Sequence, residues 1–172
     1  MDQGTSKPEL EGVRDSAPGT YSGYGGVSPT DTAAFAPRCL SIDLEVGRDD
    51  AQIHRFAAVR GDTGESFHFR GGDLNAGLAK LDRLADGVAF VVGHNLIDFD
   101  AKYLAASDSD LRLLHLPQVD TLRLNPLAFP RNPYHHLVKH YQDGQLKHGS
   151  RNDPELDARL TLGVLRDQHQ AF

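Results

Sequence analysis

The chain of 172 residues has a single cysteine, Cys39. One thiol can form neither an intrachain disulfide nor a cysteine pair for zinc, so the stapled secreted fold and the zinc-ribbon class are both excluded. No window reaches the roughly 18 to 20 continuous apolar residues that a membrane span needs. The opening Met1-Asp2-Gln3 is acidic where a signal peptide is basic and then apolar. The expectation is a cytoplasmic protein with no membrane partner, whose stability comes from burial in one core. No internal repeat is visible.

An excess of positive charge is also missing, since the net charge is -6. That argues against phosphate binding over the whole surface, but the charges are unevenly placed. The first 120 residues carry 11 of the 18 basic and 19 of the 24 acidic side chains, a net -8, which leaves +2 for residues 121–172. Phosphate contacts are therefore expected mainly in the last third, at Arg123, Arg131, Lys139, Lys147, Arg151 and Arg159.

Residues 1–36 are rich in Gly, Ser and Pro and lack any helix or strand period. They cannot bury enough apolar area to offset chain entropy and read as a disordered tail, leaving 37–172 as the folded domain. The runs around Leu40 to Leu44, Ile53 to Val59, and Phe67 with Phe69 have strand spacing, with turn residues Gly61-Asp62-Thr63-Gly64 between the last two. They read as a three-stranded meander.

Leu74, Leu78, Leu81 and Leu84 recur at helical spacing after Asp73, a capping residue, with Gly87 closing the segment. Val88–Val92 is a buried strand, and Phe99, Tyr103 and Leu104 suggest a helix. The short apolar stretch 119–124 is expected to be broken by the Pro and Asn residues of 125–133. Residues 134–141 are expected to form a helix. In the last helix, Asp153 caps, Pro154 takes the first position, and Leu156, Leu160 and Val164 share the inward face. The fold class is α/β, a mixed sheet of the meander plus further strands, flanked by helices.

Two carboxylates in the first strand are out of place. Asp43 and Glu45 lie at i and i+2 in an apolar run, hence on one face, where they repel each other and lose hydration unless a cation compensates both. An exposed edge strand is the alternative. A second acidic cluster, Gly93-His94-Asn95-Leu96-Ile97-Asp98-Phe99-Asp100, follows the buried strand, where open α/β sheets place ligand crevices. Of its aspartates, Asp100 aligns with Leu104 one turn on and is expected inward. Asp157, beside the Leu156/Leu160 stripe, is the last candidate. Four inward carboxylates without cysteine form a ligand set for Mg²⁺ or Mn²⁺, in a two-metal site that clamps both oxygens of a cleaved phosphodiester.

Asp43-Leu44-Glu45, Gly93-His94-Asn95 with Phe99-Asp100, and Asp157-Ala158-Arg159 resemble, in order and spacing, the three exonuclease motifs of the DnaQ-like (DEDD) 3′-5′ exonuclease superfamily. Val119-Asp120-Thr121 and residues 125–141 further resemble exonuclease-like domains found ahead of RecQ-type helicases. The resemblance implies an RNase H-like fold and metal-dependent release of nucleoside monophosphates from a single-stranded or frayed 3′ end. It implies Asp43, Glu45, Asp100 and Asp157 as metal ligands, with substrate contacts at His94, Asn95 and Phe99. It also implies a helicase domain as partner in a longer protein.

The superfamily's general base is a histidine five residues before the last aspartate or a tyrosine four before it. Counting back from Asp157 gives Asn152 and Asp153. His148 stands five before Asp153 and has the right spacing if Asp153 is the fourth ligand. Alternatively, His148 reaches the site from the loop around Gly149-Ser150 while Asp157 binds metal. A fold that has lost catalysis and binds nucleic acid or protein is the competing reading.

Overall fold

The computed structural model describes residues 35–132, 135, 137, 141–142, 145–146 and 153–172. Residues 1–34 of the expected tail and the candidate base His148 lie outside the described residues. Phe35, which composition assigns to the tail, packs its ring 5.2 Å from that of His169.

Strand β1 (Cys39–Val46) alternates strictly. Leu40, Ile42 and Leu44 point to one side, and Ser41, Asp43 and Glu45 to the other. β2 (Ile53–Arg60) and β3 (Ser66–Phe69) pair antiparallel to it in succession, as the meander requires. Helix α1 (Leu74–Leu84) begins where Asp73 accepts a hydrogen bond from the Ala76 N–H at 3.1 Å. It lies so close to β3 that a Cβ on Gly77 would meet the Phe69 ring at 2.6 Å.

β4 (Phe90–Gly93) then pairs parallel to β1, and β5 (Gln118–Asp120) parallel to β4. Helix α2 (Asp100–Ser107) makes the crossover between them. The five strands run in the order β3-β2-β1-β4-β5, a mixed sheet. The apolar face of β1 joins Phe56, Phe69, Leu78, Leu81 and Leu104 in the main core under α1 and α2. The other face is covered by α4 (Pro154–Ala171), whose Leu165 packs with Cys39 and Val92. Burial pushes the Cys39 thiol up to about 12, so it is an inert core residue.

Three expectations are corrected. The stretch after β5 is not broken at Asn125. Helix α3 (Thr121–Ala128) runs through Pro126, which forfeits its bond to the Leu122 carbonyl, and the helix stops two residues later. It is held at both ends of that weak point, by the Asp120 cap and by Gln168 Nε2, which donates to Thr121 O and Asn125 Oδ1 at 2.7 Å each.

The expected helix over 134–141 is not found at its described residues. His135 and Leu137 are irregular, and Tyr141–Gln142 pairs with Gln145–Leu146 in a two-stranded ribbon, β6 and β7. Two adjacent apolar residues, Leu137 and Val138, are too weak a helix signal beside so many turn-forming neighbours.

The third correction concerns α4. Asp153 caps it, accepting from the Glu155 and Leu156 N–H groups, and Pro154 follows as expected. Its buried face, however, is Asp157, Ala158, Thr161, Val164, Leu165 and Gln168, while Leu156 and Leu160 are only half-buried. The helix is turned toward the sheet by its small and polar residues because the facing row of β1 is itself polar.

Candidate metal centre

The polar row of β1 meets the first turns of α4. Ser41 Oγ, fully buried, donates to the Ala158 carbonyl at 2.8 Å and ties strand to helix one residue beyond Asp157. With that spacing set, Asp43, Glu45 and Asp157 each offer an oxygen within 4.8 Å of the others. Asp157 is buried at 1% exposure, and Asp43 and Glu45 are half-buried, so the group opens to solvent on the β1 side. Three carboxylate oxygens with no sulfur or imidazole among them are the donor set of a hard divalent cation.

Asp100 stands next to this group without belonging to it. Its Oδ1 accepts from the Leu44 N–H at 2.9 Å, the amide between the two β1 acids. Burial pushes its carboxyl up to about 7, and the charge of Asp120 adds to the rise, while the Leu44 and Asp100 amides pull the other way. Asp153 is committed to capping and is not in the group, so of Asp153 and Asp157 it is Asp157 that forms the grouped carboxylate.

The turn after β4 brings the remaining candidates to the C-terminal end of the parallel strands. A side chain on Gly93 would place its Cβ 2.9 Å from that of Leu96, so the strand end needs glycine for packing. Asn95 takes a left-handed backbone, φ 72°, a conformation asparagine tolerates better than most residues. Asp120 holds this turn. Buried at 4% exposure, it accepts from the N–H groups of Asn95 (2.9 Å), Ile97 (3.1 Å) and Leu122 (3.0 Å).

Thr121 adds a second tie. Its hydroxyl donates to the Gly93 carbonyl at 3.2 Å and lies within hydrogen-bonding distance, 2.9 Å, of His94 Nδ1. Phe99 packs at a tilt of 57° against Tyr103, with ring centroids 4.9 Å apart. Thus His94 and Asn95 are fixed by backbone and imidazole contacts, and Phe99 by a packed ring.

Asp120, Thr121 and Ser41 have no role that sequence reasoning assigns. Asp120-Thr121 lies within a segment of the family resemblance, and the N-cap spacing of Asp120 is the one local signal there. Ser41 carries none, because a hydroxyl beside a leucine does not announce a partner 117 residues away.

A scan against protein-family models finds no match to this chain, and a search of curated proteins finds none either.

Proposed function

We propose that the protein is a metal-dependent 3′-5′ exonuclease of the DnaQ-like type with an RNase H-like fold, hydrolysing phosphodiester bonds at a single-stranded or frayed 3′ end. The observation that supports this most is the convergence of Asp43 and Glu45 with Asp157 from a distant helix, within 4.8 Å of one another. The five-stranded mixed sheet with helices on both faces is compatible with that fold. No helix among the described residues is long and apolar enough to cross a membrane.

In this reading Asp43, Glu45 and Asp157 would hold Mg²⁺ or Mn²⁺, and Asp100, outside that group with one oxygen engaged by the Leu44 N–H, is the fourth ligand only as the resemblance implies it. When bound there, such a cation would supply Lewis acidity for attack by water on the phosphorus and for departure of the 3′ oxygen. The chain's own groups position the strand end: His94, Asn95 and Phe99 line the turn that Asp120 pins. His148 is assigned the proton from the attacking water. Release of nucleoside monophosphates and a place beside a helicase in DNA repair follow from the same resemblance.

The experiment is digestion of a 3′-labelled single strand with Mn²⁺. Wild type should release mononucleotides slowly, and Asp43→Asn should release none. His148→Ala should be at least about tenfold slower, since a positioned base typically contributes about 10² to 10⁴ in rate. Equal inertness of wild type and Asp43→Asn overturns the exonuclease reading. One observation favours a non-catalytic nucleic-acid-binding module instead: the position four before Asp157 is Asp153, whose carboxylate is occupied by capping.

A further inference from the structure

Among the described arginines, Arg60, Arg112, Arg123, Arg159 and Arg166 are each held by a carboxylate at 3.1 Å or closer. Arg123 and Arg159 are two of the expected phosphate contacts, and both are already engaged, with Asp98 and Glu155. Arg55 and Arg70 are exposed and form no ion pair with a described residue.

Their position follows from strand register. Glu45 and Arg55 are direct partners across β1 and β2, so both side chains leave the sheet on the α4 face, beside the carboxylate group. Phe69 partners Phe56, and Arg70 follows it directly, one step along from that pair and beside Arg55. Gly71 and Gly72, both with φ 101°, then turn the chain away. The two guanidinium groups therefore start one and two strand spacings from Glu45, roughly 5 and 10 Å along the sheet.

The neighbouring row offers no such charge. It runs Asp43, Ala57, His68, and His68 is spoken for by Glu155 Oε2 at 2.8 Å. Within the β1–β2 turn, Arg48 is accompanied by Asp49 and Asp50, the latter bound to His54.

We infer that Arg55 and Arg70 form a phosphate track along which a single nucleic-acid strand leaves the carboxylate group across β2 and the edge strand β3. This rests on the exonuclease reading and adds to it the path of the strand. An acidic centre attracts the scissile phosphate only through its cations, so phosphates farther along the strand need cationic side chains that no carboxylate has claimed. Arg55 and Arg70 meet that need on the face where the carboxylates open.

The test is anisotropy of a 5′-labelled twelve-nucleotide single strand whose 3′-terminal linkages are phosphorothioates. Titrations run with Ca²⁺ across about 50 to 200 mM KCl, where counterion release is measurable. Arg55→Gln/Arg70→Gln should flatten the slope of log K against log salt by about 1.4, or about 0.7 for each single-strand phosphate that is no longer neutralised. Affinity at the lowest salt should fall at least tenfold. Arg83→Gln, an exposed arginine in α1 on the opposite layer, should leave the slope unchanged. A double variant with the wild-type slope, while wild type binds and digests strands with Mn²⁺, overturns the track alone. A wild type that neither binds nor digests overturns the track together with the exonuclease reading.

Discussion

The two faces of β1 belong to one eight-residue strand and do opposite work. Leu40, Ile42 and Leu44 are buried at 5% exposure or less among the leucines of α1 and α2, and replacing any of them changes only packing. Ser41, Asp43 and Glu45 meet a helix that buries Asp157, Thr161 and Gln168. A face made of polar groups is a poor source of stability, because each buried polar atom must first replace the water it loses. The grouped carboxylates sit on that face, while the opposite face carries the fold.

That division can be broken from either side. Ile42→Ala should destabilise the fold by about 2 to 5 kcal/mol, the range for truncating a buried aliphatic side chain. Denaturant unfolding checks it. A decrease of less than about 1 kcal/mol, well below that range, would mean that the apolar face is not what holds the sheet.

Metal linkage should be the next effect in size. Millimolar Mn²⁺ should raise the melting temperature of wild type, by the equivalent of about 2.7 kcal/mol if the concentration is about a hundred times the dissociation constant. Asp157→Asn should abolish that rise while leaving a cooperative transition in chelator. A rise that survives in Asp157→Asn would place the cation elsewhere.

Ser41→Ala should have the smallest effect, about 1 kcal/mol, the net worth of one neutral hydrogen bond. The Ala158 carbonyl retains its helical partner, so no buried acceptor is left bare. Yet if that bond sets the distance between Asp157 and β1, the concentration of Mn²⁺ needed for the melting shift should rise as well. A stability change without a change in metal response would reduce Ser41 to packing.

Features written into neighbouring residues are legible in the chain itself. Alternation in 40–45 marks β1 and puts Asp43 and Glu45 on one face, and Asp153-Pro154 marks the start of the last helix to the residue. Caps, turns and two-residue periods depend on chain segments a few residues long, so local sequence is enough for them.

The orientation of α4 is not legible there. A leucine stripe at Leu156 and Leu160 is the normal sign of an inward face, but which side of a helix is buried depends on what it meets. Here it meets the polar row of a strand more than a hundred residues earlier, tied by the Ser41 hydrogen bond across 117 positions.

The same holds for Asp120. Its place in the chain does not reveal its partners, and only the parallel pairing of β4 and β5 brings Asn95 and Ile97 to its carboxylate. Sequence by itself determined strands β1 to β4, the caps Asp73 and Asp153 and the acids on β1, because hydrophobic period and backbone hydrogen bonding act locally. The tertiary structure decided which carboxylates meet, which arginines remain unclaimed and which turn is pinned, because those are contacts between segments whose distance only the closed sheet defines.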